Sequence, residues 1–558
     1  MKQRAFAWAW AVVAPASLAL LACQPGPVGP PAAPPPGAPS GPATTDEPRA
    51  PLKQGGTFIL PATQVTPNLD YWEISGSAQS VGLQPALEQL LAYDFRERQD
   101  WRAGFTIMPR LAERWEIATP TTYVFHIRKG AKWHDGIEFT AEDVKWAYEM
   151  FLNPANGYRA RGNLALVESM EVPDPYTLKT TTKAPSPTFL EGLADRNSVI
   201  QSRHVAARGE KFAEVLVGTG PYKLESFDRQ KGINFVRNPD YWAKGRPGAD
   251  QVRIIWPLDP VARLAAFVSK QGDILKLNSK PEFEVVQRQV PDLTPYVFLR
   301  DIESPFFLKL DQPPFNDVRV RKALHLAIDR QEMVQTMTFG LGIANPPLMN
   351  GGRTGWVIPQ EELKTLPGYR QPKDQDIAEA RRLLAEAGYP NGFRATVRIR
   401  AASSITGKQA EVAAEHARRV GIELKLEVLE DGVFAKAAKD GNYEIIVDTG
   451  SQFQPEQAWQ NLLHSNGALN NMPIRDAELD ALVERQATEL DVEKRKQLFL
   501  QIQRHLLDKM YIIPGVSDVA YTVWHPYVHG WIDNFAGQAA NPDWSQLWLD
   551  VEKLPSGR

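Results

Sequence analysis

The sequence predicts an α/β protein, and both its periodicity and its composition point to that class. Short apolar segments alternate with amphipathic segments from Gly55 onward, which is the pattern of strands connected by helices. Hydrophobic residues make up 43% of the chain and charged residues 23%, a composition that can bury a sizeable core. At about 150 residues per domain, the 558 residues correspond to roughly three to four domains.

The clearest α/β pattern lies in the second half of the chain. A helix is predicted to begin at Asp374, a candidate N-cap, and to end at Gly388. Its apolar face comprises Ile377, Ala380, Leu383 and Leu384. The elements predicted after it are strands at residues 395–400, 422–428 and 443–447 and helices at residues 409–420 and 434–439. This series predicts a partly parallel sheet covered by helices. Two more helices are predicted in residues 476–510, with a break near Asp491.

Charge and cysteine content exclude several classes of protein. The 63 basic and 66 acidic side chains give a net charge of -3, so no overall field attracts nucleic acid, and we expect no nucleic-acid partner. The chain has one cysteine, which excludes an internal disulfide framework, a cysteine-based zinc site and an iron–sulfur cluster.

The amino terminus is predicted to be a signal peptide, residues 1–22. Two basic residues precede an apolar run, which is the n-region and h-region of such a signal; a membrane anchor is the alternative. The run ends in Leu20-Leu21-Ala22-Cys23, which resembles the lipobox of bacterial lipoproteins. That resemblance implies lipidation of Cys23. Residues 23–52 are rich in proline and are predicted to be a tether, so we expect an extracytoplasmic protein anchored to the membrane by its lipid.

Several blocks of the remaining sequence resemble a known family. The blocks are GGTF (55–58), PRLAERWE (109–116), KWHDG (132–136), GTGPY (218–222), RNPDYW (237–242), PFNDVRVRKA (314–323) and AIDR (327–330). Their order is similar to that in the oligopeptide-, dipeptide- and nickel-type extracellular solute-binding proteins of ABC importers, family 5. The resemblance covers nearly all of residues 53–554.

The resemblance implies a two-lobe periplasmic-binding-protein fold of type II, cluster C-like, with a two-segment hinge. Lobe 1 would comprise residues 53–302, with an inserted subdomain at about residues 91–204, and lobe 2 residues 303–523. Residues 524–558 would return to lobe 1. A solute would be captured between the lobes and delivered to the permease subunits of the importer. The protein would act as a monomer, without a cofactor and without catalysis.

Most residues of the family blocks are predicted to have structural roles. His134 and Asp135 could form a catalytic pair, but a turn before a helix beginning at Ala141 is the simpler interpretation. Gly218 and Gly220 are predicted to form a turn into a strand at residues 222–227, because no Lys-Ser/Thr pair completes a phosphate loop.

Three arginines of these blocks could suggest a nucleic-acid patch. They alternate with apolar residues, which predicts the solvated face of an amphipathic helix. These arginines are Arg319, Arg321 and Arg330.

Two segments are first candidates for the ligand cleft. The stretch that follows the first Leu-Asp turn borders the ligand in family members, and here it contributes Tyr71, Trp72, Ser75 and Gly76. Ordinary aromatic packing is the alternative for its two rings. The loop after the strand at residues 395–400 contributes Arg400 and Ser403. In dipeptide binders an arginine near this loop holds the peptide carboxylate, and the alternative for Arg400 is a solvated side chain.

The third candidate is the loop after the strand at residues 443–447. It contributes Asp448, Ser451, Gln452, Phe453 and Trp459. Peptide-binding relatives have an aspartate here that holds the peptide's amino group, whereas this chain has Ser451 or Gln452. An uncompensated ammonium in a closed cleft costs several kcal/mol. The ligand is therefore predicted to be a peptide or, as the alternative, an oligosaccharide or other uncharged polar solute; Asp448 could still supply the anchoring charge.

Catalysis is the competing class of function. The sequence has no Gly-x-Ser-x-Gly elbow and no His-Glu-x-x-His motif. The nine histidines are scattered, so although nickel and haem binding occur in the wider family, no metal site is predicted. His416 is predicted to lie on a helix surface. An exported serine hydrolase is the alternative function.

Overall fold

The computed structural model describes most of the chain from residue 52 to the end. The described residues are 52–62, 64–74, 81–94, 106–256, 259–300, 302–401, 404–448, 450–451, 455–467, 469–531, 543–556 and 558. They all belong to one compact unit. The predicted signal peptide and Cys23 lie outside them, as does the tether apart from Leu52. Within these ranges, no helix combines the length and the hydrophobicity needed to cross a bilayer.

The first part of the chain is built mainly from antiparallel strands. Its strands are β1 (Thr57–Pro61), β2 (Leu91–Tyr93), β3 (Ile107–Pro109), β4 (Ala112–Thr119), β5 (Thr122–Ile127), β6 (Val167–Asp174), β7 (Thr177–Thr182), β8 (Tyr222–Asp228), β9 (Gly232–Arg237), β10 (Gln251–Ile255), β11 (Ile274–Leu277) and β12 (Thr294–Leu299). One four-stranded sheet has the order β1-β10-β9-β8 and another the order β4-β5-β7-β6. Only the β1–β10 pair within these two sheets is parallel.

Helices of this part are short, and all but one of those described begin at a polar side-chain cap or capping box. They are α1 (Ala141–Leu152), α2 (Phe189–Ala194), α3 (Arg203–Ala207), α4 (Pro260–Val268) and α5 (Lys280–Gln289). α1 begins with a capping box between Thr140 and Asp143, which satisfies amides that the helix leaves unpaired. The predicted helix beginning at Ala141 is therefore confirmed.

The second part of the chain surrounds a mixed sheet. Its strands are β13 (Ile302–Glu303), β14 (Phe306–Leu308), β15 (Ile343–Ala344), β16 (Phe393–Arg400), β17 (Ile422–Leu429), β18 (Ile445–Val447), β19 (Gly450–Ser451), β20 (Ile512–Ile513) and β21 (Val516–Ser517). The sheet order is β17-β16-β18-β14-β20. Because β16 runs parallel to both β17 and β18 while β14 is antiparallel to β18, the predicted partly parallel sheet is confirmed.

The helices of this part follow the predicted series with small shifts at their ends. They are α6 (Val318–Ala327), α7 (Arg330–Thr338), α8 (Gln360–Leu363), α9 (Asp374–Glu386), α10 (Ser404–Arg418), α11 (Asp431–Asp440), α12 (Pro455–Leu463), α13 (Ala477–Thr488) and α14 (Val492–Lys509). Asp374 is the first helical residue, not the N-cap. Asp491 caps α14 through the amides of Glu493 and Lys494, which explains the predicted break.

The end of the chain returns to the first part. Strands β22 (Val519–Trp524), β23 (Val528–His529) and β24 (Trp548–Leu549) complete the strand series. β22 lies between β11 and β12, so the return begins five residues before the predicted boundary at residue 524. The ring of Phe58 in β1 stacks on Trp531 at 5.4 Å and meets Trp544 edge-on at 6.2 Å. The segments around Phe58 and around residues 531–549 therefore share one hydrophobic core.

Three of the family blocks meet at one buried carboxylate, Glu88. Its oxygens accept hydrogen bonds from Tyr241 Oη at 2.7 Å, Trp242 Nε1 at 3.1 Å and Thr219 Oγ1 at 3.1 Å. The guanidinium of Arg110 lies 3.9 Å away and also binds Asp543 at 3.1 Å. Burial raises the pKa of Glu88, although Arg110 and the three donors oppose the shift. These blocks therefore organise the core of the first part of the chain.

The two glycines of the GTGPY block lie in the predicted turn into β8. A Cβ on Gly218 would lie 1.7 Å from the carbonyl oxygen of Ala86, and one on Gly220 would lie 2.6 Å from its carbonyl carbon. Only glycine allows this close approach of two backbones.

His134 is held in the neutral form by its surroundings. Its Nδ1 accepts a hydrogen bond from the amide of Gly218 at 3.2 Å, and its Nε2 lies 3.1 Å from the carbonyl oxygen of Gly220. This pattern requires one protonated and one unprotonated ring nitrogen. Burial lowers the pKa of His134 to about 4. The residue acts as a structural link between the turn at residues 132–136 and the GTGPY block.

We expect His134 to make the protein sensitive to acid. Its pKa is about 4 in the folded state and about 6.5 when unfolded, so its contribution is intact above about pH 6.5 and is lost as pH falls towards 4. The slope from this residue is about 1.4 kcal/mol per pH unit. Urea denaturation of H134Q at pH 7 and 4.5 should show a correspondingly smaller acid loss than the wild type. The control H126Q should retain the wild-type loss; equal losses in both variants would contradict the assignment.

Two of the three arginines predicted to be solvated are in fact buried, and that prediction is wrong for them. Arg321 is 6% exposed and Arg330 is 1% exposed. Arg321 donates to the carbonyl oxygens of Met510 and Lys509 at 2.9 and 2.8 Å, where it neutralises the C-terminal end of α14. Arg319 alone remains on the surface, with 43% of its side chain exposed.

Arg330 supports the connection between the two parts of the chain. Its Nε donates to the carbonyl oxygen of Pro514 at 2.9 Å, its Nη1 to that of Gly368 at 2.9 Å, and its Nη2 lies 2.9 Å from His325 Nδ1. The guanidinium also covers the ring of Tyr369 at 4.6 Å. Its partners come from segments far apart in the sequence, so its burial depends on tertiary structure.

His416 is also buried, which corrects its predicted place on a helix surface. Its Nδ1 accepts a hydrogen bond from the amide of Asp329 at 3.1 Å, and its Nε2 lies 3.1 Å from a carboxylate oxygen of Glu332. The ring therefore links α10 to the start of α7.

Candidate ligand site between the two lobes

Two extended segments connect the first part of the chain to the second. One leads from β12 through β13 to β14, and the other from β20 through β21 to β22. They run side by side: the amide of Arg300 donates to the carbonyl oxygen of Asp518 at 2.9 Å. Two adjacent crossovers between two bodies form a hinge about which the bodies can rotate.

The crossovers also lie close together at Gly515. A Cβ there would lie 2.5 Å from the carbonyl oxygen of Ser304 in the other crossover and 2.3 Å from Oε1 of Gln409. The Gln409 amide in α10 accepts from the amide of Val516 at 3.0 Å and donates to its carbonyl oxygen at 3.2 Å. The second crossover is therefore fixed to α10 by a pair of hydrogen bonds next to this point.

The third predicted ligand segment begins at the hinge. β19 pairs with β13, with Ser451 opposite Ile302 and Gly450 opposite Glu303. The Glu303 carboxyl is fully buried, and burial raises its pKa well above the usual range. Of the other residues predicted here, Gln452 and Phe453 lie outside the described residues.

Arg400 and Asp448, two predicted anchors, are paired with each other. They lie at the carboxyl ends of the parallel strands β16 and β18, which meet at one edge of the sheet. Arg400 Nε lies 3.2 Å from Asp448 Oδ1, and Nη2 lies 3.3 Å from Oδ2. The guanidinium also covers the ring of Phe434 at 4.2 Å. Each charge is therefore largely compensated by the other.

Tyr71 and Trp72 of the first predicted segment are buried. Trp72 packs among the rings of Trp146, Phe151, Tyr158 and Phe212 at centroid distances of 4.9–5.7 Å. Its Nε1 donates to the carbonyl oxygen of Val199 at 2.9 Å. In this structure its side chain is used in aromatic packing, the alternative that the sequence left open. Ser75, Gly76 and Ser403 lie outside the described residues.

Trp459 is fully buried as well. It lies in α12, and its ring is 4.6 Å from that of Phe499 in α14. Its contact with a ligand stays a prediction, and in this conformation the indole has no exposed surface to offer one. The next two residues of the helix, Gln460 and Asn461, instead line a cleft.

That cleft, which we call the interlobe cleft, lies between residues 152–192 and residues 460–488 and has a volume of about 1040 Å³. Its apolar and aromatic wall includes Leu152, Tyr158, Leu166, Val167 and Phe189; its polar side chains include Asn163, Ser186, Thr188, Gln460 and Asn461; and its charged ones are Arg161, Lys183 and Glu484. A mainly apolar wall with a few polar groups is the usual composition of a small-molecule site.

Sequence reasoning did not identify the walls of this cleft. They come from the 3-10 helix Arg159–Leu164, the segment after β7, and helices α2, α12 and α13. No local motif marks these segments, because the cleft arises only where two distant stretches face each other. The predicted segments nevertheless adjoin it, since Trp72 supports Tyr158 at 5.1 Å and Trp459 precedes Gln460 directly.

Charged groups from the two lobes lie near each other beside the cleft. Glu191 in α2 interacts electrostatically with Arg495 in α14 and with Arg353, and burial raises its pKa. Burial lowers the pKa of Arg495 to about 10. The Arg495 guanidinium lies 5.4 Å from the Trp356 ring and 5.6 Å from that of Phe499.

Within the described part of the chain, no group of three or more His, Cys, Asp or Glu residues is arranged to hold a metal ion.

Two α/β lobes joined by two adjacent crossovers define the class as a two-lobe binding protein of the type II periplasmic kind. Residues 106–470 match the family described as "Bacterial extracellular solute-binding proteins, family 5 Middle". The chain therefore belongs to the family 5 extracellular solute-binding proteins.

Relatives with curated names are binding proteins. Heme-binding protein A of Haemophilus influenzae is 27% identical over 484 residues, covering 79% of this chain and 84% of that protein. Di/tripeptide-binding protein 1 of Pseudomonas aeruginosa is 26% identical, covering 77% and 84% respectively.

Solved structures show the same fold. The periplasmic binding protein DppA from Helicobacter pylori, in complex with the peptide STSA, gives a TM-score of 0.72 at 20% identity, covering 89% of this chain and 99% of that one. A dipeptide binding protein from Pseudoalteromonas sp. SM9913, in complex with Met-Leu, gives a TM-score of 0.73 at 19% identity, covering 89% and 100%.

Proposed function

We propose that the protein is the substrate-binding component of an ABC importer and captures a peptide or peptide-like solute between its lobes. The observation that carries the proposal is the interlobe cleft of about 1040 Å³, whose walls come from both sides of the hinge. Rotation about the crossovers would bring these walls together around a ligand. The closed form would then deliver the solute to the permease subunits.

Peptide-like ligands are favoured by the named relatives, one of which is a di/tripeptide-binding protein. The volume of the cleft is at the upper end of the range of about 300–1,000 Å³ that small-molecule sites occupy. It therefore leaves room for a ligand larger than a dipeptide. The pairing of Arg400 with Asp448 argues against a mode in which these two side chains each hold one peptide terminus.

We further propose that the protein is exported, is lipidated at Cys23 and works outside the cytoplasmic membrane as a monomer without catalytic activity. The signal-like residues 1–22 and the lipobox-like Leu20–Cys23 support the first two points. The family name supports an extracellular place of action.

Ligand binding is testable with protein purified without denaturation. We expect native mass spectrometry to detect a retained solute in the peptide mass range, and a pentapeptide library to bind with one ligand per chain. Recovered peptides should be unchanged, because the proposed role is capture. Turnover of the library would contradict the receptor role, and retention of haem in place of peptides would change the ligand class.

A further inference from the structure

The interlobe cleft has an uneven distribution of charge. Arg161, in the 3-10 helix, and Lys183, after β7, both line the wall formed by residues 152–192. The opposite wall carries one acidic side chain, Glu484 in α13. That carboxylate lies 3.0 Å from His464 Nε2, and 63% of the side chain is exposed to solvent. The cleft therefore has two cations on one wall and, on the other, one carboxylate that already contacts a histidine.

The two cations of this wall have no partner among the described residues. Within the described residues, neither the Arg161 guanidinium nor the Lys183 ammonium makes an ion pair or a side-chain hydrogen bond. Other cations of this region are engaged: Lys179 pairs with Glu171 at 3.3 Å, and Arg203 pairs with Asp143 at 3.3 Å. The charges of Arg161 and Lys183 are thus available to a ligand.

The segments that carry these cations are fixed relative to the cleft. The amide of Lys183 donates to the carbonyl oxygen of Leu166 at 2.8 Å, and the amide of Arg161 donates to that of Tyr158 at 3.1 Å. Both acceptor residues line the cleft themselves. The cations therefore stand next to an apolar surface, where a ligand that covers that surface would also displace water from them. Loss of water strengthens a charge–charge contact.

From this arrangement we propose that Arg161 and Lys183 determine specificity, and that the cleft takes a peptide-like solute carrying carboxylate groups. The carboxylates would lie against the two cations, and the apolar part of the solute would lie against Tyr158, Leu166 and Phe189. The inference rests on the proposed capture of a peptide-like solute and adds that this solute is negatively charged. Arginine is well suited to this role, because its planar fork binds carboxylates through two hydrogen bonds.

The test compares two pentapeptide libraries that differ only in having Glu or Gln at the second and fourth positions. Isothermal calorimetry with the full chain should show that the Glu library binds about tenfold more tightly, since each exposed pair adds a modest contribution. The preference should shrink as salt is raised from low to about 1 M. In the double variant R161Q/K183Q the two libraries should bind within about twofold of each other.

Arg159→Gln is the matched control, because Arg159 lies on the same 3-10 helix but does not line the cleft. It should keep the tenfold preference. Equal binding of both libraries by the wild type, or an unchanged preference in the double variant, would overturn the inference and leave the receptor role standing. Failure of both libraries to bind would overturn peptide capture, and this inference with it.

Discussion

Replacement of Glu88 by alanine is expected to lower the free energy of unfolding by about 3–5 kcal/mol. The change removes the common acceptor of Tyr241, Trp242 and Thr219, and each donor that loses its buried partner is costly. Arg110, which is itself almost fully buried, would keep only Asp543. Urea denaturation monitored by tryptophan fluorescence would measure the loss.

Glu116→Ala is the control for Glu88, because Glu116 also bonds to an arginine and to a histidine but has 53% of its side chain exposed. Exposed ion pairs contribute about 0–1 kcal/mol, so this variant should remain close to the wild type. If E88A does not fold, Tyr241→Phe removes one of the hydrogen bonds and should cost about 1 kcal/mol. A loss below 1 kcal/mol in E88A would show that the network does not hold the core together.

Arg330→Met should have a comparable effect, with a loss of about 3–5 kcal/mol, because several hydrogen bonds from a charged group, each worth about 1.5–3 kcal/mol, are lost together. The variant removes the arginine donor of the Pro514 carbonyl oxygen and one of the two side-chain donors of the Gly368 carbonyl oxygen, the other being Lys373. Because Pro514 lies in the second crossover, ligand affinity should fall together with stability. Chemical denaturation and calorimetric binding of the pentapeptide library would measure the two effects.

The control for Arg330 is Arg319→Met, at a position that the sequence pattern does not distinguish from it. Arg319 bonds to Asp317, and 43% of its side chain is exposed, so its loss should cost less than about 1 kcal/mol. Equal losses of stability in the two variants would mean that the burial of Arg330 does not make it more important for folding than Arg319.

Much of the fold could be predicted because its signals are local. The β16–α10–β17–α11–β18 series follows from hydrophobic periodicity, and the ends of helices follow from residues such as Asp491 and Gly388. The turn at Gly218 was also predictable, although the reason for glycine, its contact with Ala86, was not.

Burial of polar side chains could not be predicted in the same way. Arg321, Arg330 and His416 occupy positions that suit a solvated helix face, but their partners lie on segments distant in the sequence or across an adjacent helix. An arginine whose guanidinium donates to several carbonyl oxygens is satisfied without water. The spacing of residues within one helix carries no information about such partners.

The candidate site was also predictable only in part, since its local signals could be read from the sequence and its contacts between distant residues could not. Arg400 and Asp448 could be predicted as candidates because they lie at the ends of β16 and β18, but only the structure shows that these side chains bind each other. The interlobe cleft was missed because its walls are about 300 residues apart in the chain. The two predicted tryptophans, Trp72 and Trp459, adjoin its walls, and the Trp72 ring packs against Tyr158, which lines it.

The core shared by the segments around Phe58 and around residues 531–549 has a consequence for the order of folding. Phe58 packs against Trp531 and Trp544, Arg110 pairs with Asp543, and Arg558 donates to the carbonyl oxygen of Thr57 at 2.6 Å. Lobe 1 is therefore begun first and completed last, after the whole of lobe 2 has been synthesised. A chain that emerges progressively from a ribosome or a membrane pore cannot finish this lobe until residues 531–558 have emerged. Lobe 2, whose strands and helices lie within one continuous stretch, is free to form before that moment.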